Sequence, residues 1–336
     1  MKIAHKIETY TSDGEPVLRF TVMNSSGVYM EFTNWGARWI TASVPDVQGA
    51  LDNVLIGYDS LAGYLEDSYY MGATIGRLAD ASFTIDRKTF HLEANDGNNT
   101  NHGGFSGFHN KVWQWEELPD GIRFSLYSPD GEGGFPGNIR VITDYRFNED
   151  NELSVRHYAE TDCATYINMT NHAYFNLCGK GKKITEHRLH IPADRILDTT
   201  PAFIPTGKRM NVKNTPFDFT SLKPIGTDLY ADHEQLLWNK GYNHCYILKD
   251  EISVEMLEAA SLYEPVTGRN MTVMTDLPAV LLYTAGYYER PDTAVCLETQ
   301  FYPDTPSHSD FPSCLVLPEK AYEHCTLFHF QVQKEE

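Results

Sequence analysis

The sequence predicts an all-β protein, a large antiparallel β-sandwich with a few short helices, and three observations carry that prediction. Apolar and polar residues alternate with a period of two along the chain. Gly, Asp, Asn and Pro interrupt the alternation at short intervals, as tight turns between strands require. Helical periodicity is confined to two short pieces, neither long enough to cover a sheet. With 336 residues and 41% hydrophobic content, the chain can bury a sizeable core. No Pro/Gly/Ser-rich linker, composition shift, fixed-period repeat or low-complexity tract divides it, so residues 1–336 are expected to form one domain.

Taken in order, the segments support this reading. In "GVYMEFTNW", Val28, Met30 and Phe32 alternate with Tyr29, Glu31 and Thr33, which gives one apolar strand face. "DSLAGYLED" is the first short helical piece, with Asp59 or Ser60 as N-cap. "SFTIDRKTFHLEA" reads as a hairpin turning at Asp86-Arg87-Lys88, and "VWQWEELPDGIRFSLYS" as one turning at Pro119-Asp120-Gly121. "DGEGGFPG", with Pro136, is a rigid turn. "RFNEDNELSVRHY" turns between Asn148 and Asn151, and "SLYEPVTGRNMTVMT" between Pro265 and Gly268. "DHEQLLWN" is the second helical piece.

Charge narrows the function classes. The 27 basic and 46 acidic residues leave a formal charge of -19, which repels phosphate backbones and anionic bilayers and argues against nucleic-acid and membrane partners. The opening "MKIAHKIETYTSDGEP" has no apolar run of signal-peptide length, and no membrane-spanning stretch follows, so a cytoplasmic protein is expected. Six dispersed cysteines, several inside apolar runs, read as buried reduced thiols. There is no CxxC, HExxH or clustered His/Cys set, and His187 and His190 in "EHRLH" read as an exposed strand face, so no metal site is expected.

The chemistry-bearing stretches are "GRLADASF" (76–83), "NTNHGGFSGFHNKVW" (99–113), "DGEGGFPGN" (130–138), "TNHAYFNLCG" (170–179), "GYNHCYIL" (241–248) and "CLETQFYPDTPSHSDFPS" (296–313). Taken alone, His172 in the first strand-like part of "NHAYFNL" reads as a hydrogen-bonded structural histidine, and Glu298 as a solvent-facing carboxylate, although its neighbours are apolar and aromatic. In this order and at these separations, however, the segments resemble the aldose 1-epimerase family, the galactose mutarotases, over most of the chain.

That resemblance implies a mutarotase-like sandwich fold and the interconversion of α and β anomers of a free aldose such as galactose or glucose. Such a reaction opens the sugar ring and recloses it on the other face of C1. It needs a base for the C1 hydroxyl proton and an acid for the ring oxygen, which a carboxylate and an imidazole supply with no metal and no cofactor. By the resemblance, Glu298 of "ETQ" is the base and His172 the acid. His102 of "NHGG" is a second imidazole in the pocket, and Arg77 of "GRLAD" a fork of donors for adjacent hydroxyls. Asn243 stands where the family most often carries aspartate, and it keeps an acceptor but loses the charge. Asp80 and Ala81 stand where relatives often carry Asn-Arg.

Among the aromatics, Trp113, Trp115, Phe175, Phe301 and Tyr302 read as packing. Tyr174 is nominated as a sugar contact because, two residues from His172, it projects to the same strand face. Three alternatives stay open: a glycoside hydrolase using a pair such as Glu298 and Asp304, an epimerase of phosphorylated hexoses, which would need a basic cluster where the matched segments hold only Arg77 and Lys111, and a sugar-binding or sensing protein on the same scaffold. The partner is a small monosaccharide in each isomerase reading, and the chain is a monomer or homodimer.

Overall fold

Alternation in the sequence becomes alternation of burial. Along Glu152–Thr161, Leu153, Val155, His157, Ala159 and Thr161 are buried while their neighbours reach solvent, and Val28, Met30 and Phe32 are buried as their period predicts. A computed structural model describes residues 1–75, 77–252 and 254–333, with the side chains of residues 75 and 77–79 outside that description.

Three antiparallel sheets dominate the described residues. The first is a five-stranded meander in chain order, Lys2–Tyr10, Pro16–Met23, Tyr29–Thr33, Arg38–Pro45 and Leu51–Asn53. The largest has nine strands. Gln114–Leu118, Gly121–Ser128, Ile139–Phe147 and Glu152–Thr161 form one run of hairpins, and Arg269–Thr275, Leu257–Tyr263, Arg188–His190 and Lys223–Pro224 form the other side. The last long strand, Tyr322–Val332, inserts between these halves, with Leu153 opposite Phe328 and Met271 opposite Phe330. The third sheet has five strands in the order Pro205–Asn211, Arg195–Thr199, Asn243–Ile247, Ala279–Tyr283 and Cys296–Gln300.

The expected hairpins form. Ile85 pairs with Lys88 across a two-residue turn, in which Asp86 and Arg87 both take positive φ, 49° and 66°, the geometry that matches strand twist. Leu118 pairs with Gly121, and the Asn148 side chain accepts the Asp150 and Glu152 amides to close its turn. The helices are short, Leu61–Leu65 and Glu234–Asn239; Ser60 is the first N-cap without a side-chain bond, and the second helix is capped by His233. "DGEGGFPG" contains a short 3-10 turn, Glu132–Gly134.

One apolar cluster runs from Leu18 to Phe330 and includes Phe20, Phe32, Trp39, Trp113, Phe175, Phe301 and Phe328. Each such side chain contributes about 1.5 to 3 kcal/mol on leaving water. Trp115 is only partly buried against this cluster. Cys245, Cys296 and Cys314 are buried as expected, but Cys178 and Cys325 are half-buried and Cys163 is exposed. His187 is also placed differently from its sequence reading. It is fully buried, and its Nε2 accepts the Leu177 amide at 2.9 Å, a long-range contact that local polarity could not reveal. No helix among the described residues is long and apolar enough to cross a membrane.

Candidate functional site

The floor of the site is one face of the third sheet. Glu298 pairs with Leu281, Gln300 with Ala279, and Asn243 with Tyr283, so the period of two brings Asn243, Tyr283, Leu281, Glu298 and Gln300 to the same side. All five line a pocket of about 340 Å³, within the ~300–1,000 Å³ usual for small-molecule sites.

His172 enters from a neighbouring segment whose register is fixed by the backbone. Phe175 and Val295 exchange amide–carbonyl hydrogen bonds of 2.8 and 2.9 Å, and stepping three residues back from Phe175 and three on from Val295 sets His172 opposite Glu298. Asn168 reinforces this alignment, accepting the Phe301 amide at 2.9 Å and donating to the Phe301 carbonyl at 3.1 Å. The His172 Nε2 lies 3.7 Å from Glu298 Oε1. Both side chains are almost fully shielded, at 7% and 4% exposure, so their opposite charge preferences act with little screening by water.

The imidazole of His172 is held on its own side as well. Its amide donates to Ala73 and its carbonyl accepts from Gly72, and its ring lies parallel to that of Tyr174, with centroids 4.9 Å apart and planes 7° apart. One face of Tyr174 is therefore covered by the imidazole. Burial, with added effects from Cys296, Tyr283 and Glu298, pushes the Tyr174 hydroxyl well above its ordinary value. It stays protonated and donates to the Tyr69 carbonyl at 2.9 Å.

His102 faces the same pocket from a loop. Its φ is 52°, and Gly103 and Gly104 follow at 84° and 79°, a run of left-handed backbone that two glycines make accessible. Its ring packs edge-on to His172 at 5.6 Å and to Tyr70 at 4.3 Å. Arg77 contributes backbone that pairs with Asn101, beside His102, while its side chain lies outside the described residues. The structure thus brings together His102, His172, Tyr174, Asn243 and Glu298.

Several lining residues had no part in the sequence reading. Gln300 sits two residues beyond Glu298 on the same face, and the strand period alone could have found it. Tyr283 could have been found by the same period. Ser68, Tyr69 and Tyr70, together with Phe203, come from irregular segments, with Tyr70 at φ 58° and Phe203 at φ 63°, and carry no periodic signal. Phe203 and Tyr287 form a ring pair at 5.8 Å within the pocket lining.

The geometry also separates the alternatives. Asp304 is not among the described residues that line the pocket; its carboxylate accepts from Ser307 and lies 3.8 Å from His308. Among the described lining residues there is no lysine or arginine, and Lys111 is bound to Glu132 at 2.6 Å. No group of three or more metal-ligating side chains occurs among the described residues. A smaller cavity of about 90 Å³ behind the His102 loop is lined mostly by apolar groups and shares only that histidine with the main pocket.

Comparison with known proteins gives a consistent match. The family model described as aldose 1-epimerase matches residues 19–329. A galactose mutarotase from Bos taurus is 35% identical over 328 residues, 92% of this chain and 93% of the relative. An aldose 1-epimerase from Escherichia coli K12 is 32% identical over 335 residues, 95% of this chain and 96% of the relative. The crystal structure of a galactose 1-epimerase from Lactobacillus acidophilus superposes with a TM-score of 0.86 at 25% identity, covering 98% of this chain and 99% of that one.

Proposed function

We propose that this chain, which belongs to the aldose 1-epimerase family, interconverts the α and β anomers of free aldoses such as galactose and glucose, with Glu298 and His172 as its base and acid. The observation that carries the reading is the 3.7 Å approach of His172 Nε2 to Glu298 Oε1 inside a shielded pocket of sugar size. The C1 hydroxyl and the ring oxygen of a pyranose are bonded to the same carbon, so two groups this close can serve both at once. Glu298 takes the hydroxyl proton as protonated His172 gives one to the ring oxygen, and the C1–ring oxygen bond breaks to leave the open-chain aldehyde. Rotation about C1–C2 presents the other carbonyl face, and the two groups return their protons in reverse.

The surroundings have supporting roles. Tyr174 orients the imidazole through its stacked ring, and as a buried member of the pocket lining it remains a candidate sugar contact. His102 hydrogen-bonds the sugar near the ring oxygen, Asn243 binds a remote hydroxyl, and Arg77 is assigned to adjacent hydroxyls by family resemblance. The contiguous apolar cluster supports a single working domain.

Polarimetry on freshly dissolved α-galactose and α-glucose tests the reading. The protein should accelerate the approach to anomeric equilibrium, and Glu298→Gln should remove about 100-fold or more of that acceleration, the usual share of one general acid or base. Undiminished rates in a folded Glu298→Gln protein would remove the proposed base.

A further inference from the structure

The reading proposed above places the His172 imidazole against Glu298 and the His102 imidazole against the sugar, and a single buried ion pair stands behind both rings. Arg38 and Asp67 meet at 2.6 Å, each with a side chain wholly shielded from solvent. The Asp67 carboxylate also accepts the Met71 amide at 2.8 Å, the Tyr69 amide at 2.9 Å and the Tyr58 hydroxyl at 3.0 Å. Arg38 in turn donates to the Met71 carbonyl at 2.8 Å and to the His109 carbonyl at 3.4 Å.

Two lines of contact run forward from this hub to the pocket. In the first, the Tyr69 carbonyl accepts the Tyr174 hydroxyl, and Tyr174 lies flat against His172. In the second, Tyr70 packs edge-on against His102 at 4.3 Å and against His109 at 4.7 Å. The segment between has left-handed backbone at Tyr70 and at Gly72, so neither helix nor sheet ladders can hold it. Its amides and carbonyls need other partners, and Asp67 and Arg38 supply those of the Tyr69 and Met71 amides and of the Met71 carbonyl.

We infer that Arg38 and Asp67 form a positioning pair for the anomeric chemistry, setting the Tyr69–Tyr70 segment and through it the rings of His172 and His102. This rests on the function proposed above. A buried ion pair is poor evidence of stabilisation, because well-packed apolar residues of similar volume commonly replace one at no loss of stability. What such residues cannot replace is the set of directed hydrogen bonds to the Tyr69 and Met71 backbone.

The test is therefore the double variant Arg38→Met with Asp67→Leu in the full chain. The variant should fold with a thermal midpoint lowered by the stranded Tyr69 and Met71 backbone groups, while kcat for mutarotation, measured well below that midpoint, falls at least tenfold with KM changed far less. Selective labelling of histidine provides a readout that does not depend on activity. The stacked Tyr174 ring shields the imidazole protons of His172 and the edge-on Tyr70 ring shifts those of His102, so in the variant the His172 signal should move toward its unshielded value and the His102 signal should move as well. A folded double variant with parental kcat and unmoved histidine signals would overturn the inference. If the parent itself fails to accelerate mutarotation, the assigned activity fails, yet the histidine signals still decide the positioning. Should the double variant not fold, Arg38→Lys is read the same way, since it keeps the charge and lacks the guanidinium fork that reaches the Met71 and His109 carbonyls at once.

Discussion

Four histidines outside the proposed chemistry make the fold acid-sensitive, by an amount that can be worked out. His109, His157, His187 and His244 are each at most 3% exposed. Burial is the main cause that pushes His109 and His187 down to about 4 and His157 and His244 down to about 3, with Arg38, His324 and His233 adding to the effect at His109, His157 and His244. In the unfolded chain each returns to about 6.5. The folded values lie below the unfolded ones, so unfolding takes up protons, and stability that is complete above pH 6.5 is lost as pH falls toward 4 and then 3. At pH 5 the folded rings are still neutral, and each unfolded ring is favoured by about 1.5 units, or roughly 2 kcal/mol. Four such groups amount to about 8 kcal/mol, comparable with the whole stability of a typical domain, about 5 to 15 kcal/mol. Urea unfolding at pH 7.5, 6.5, 5.5 and 5.0 measures this loss directly, as a midpoint that drops with an unchanged slope. In His157→Gln the loss between pH 7.5 and 5.0 should shrink by about 2 kcal/mol. A midpoint independent of pH over that range, or a loss unaltered in His157→Gln, would refute the reasoning.

Three further outcomes are expected. Asn243→Asp restores a charged acceptor in the pocket, and because a charge-assisted hydrogen bond exceeds a neutral one by about 1 to 2 kcal/mol, KM for the sugar whose hydroxyl it meets should fall about tenfold; unchanged KM values for galactose, glucose, xylose and arabinose would remove Asn243 as a specificity residue. Tyr174→Phe keeps the stacked ring but strands the Tyr69 carbonyl, so urea unfolding should show a loss of about 1 to 2 kcal/mol, and polarimetry a drop in kcat severalfold smaller than that of Glu298→Gln. Gly72→Ala places a methyl group 2.0 Å from the Trp39 carbonyl oxygen at a φ of 67°. It should cost about 3 kcal/mol or more in the same unfolding measurement, and a stability equal to the parent's would show that this close approach is relieved.

What the sequence made legible was local. Asp86-Arg87 and Pro119-Asp120 announce their hairpins because turn chemistry is decided within a few residues, and the alternation around Val28, Met30 and Phe32 follows from pleating alone. The insertion of Tyr322–Val332 between hairpins more than a hundred residues apart in the chain has no local signature, since pairing partners are chosen by the assembled core. The burial of His187 was hidden for the same reason: its partner is the Leu177 amide on another segment. Within the site, His102, His172, Asn243 and Glu298 were found through the resemblance of whole segments, whereas Tyr70 and Phe203 sit at left-handed positions that no residue pattern announces.

The division between strand and loop within the pocket has a physical consequence. The separation of His172 from Glu298 is set by the backbone exchange between Phe175 and Val295 and by the clasp of Asn168 on Phe301. A slip of one residue in that register would turn Glu298 to the opposite face of its strand and bury it in the apolar core, where an unpaired carboxylate is strongly disfavoured. The core therefore defends the register that the proposed proton transfers need, because Phe175 and Val295 belong to it. The Tyr69–Tyr70 segment is held in a different way, by side-chain hydrogen bonds from Asp67 to the Tyr69 and Met71 amides, so the register of the proposed acid and base is set by the sheet and the orientation of the imidazole by the loop.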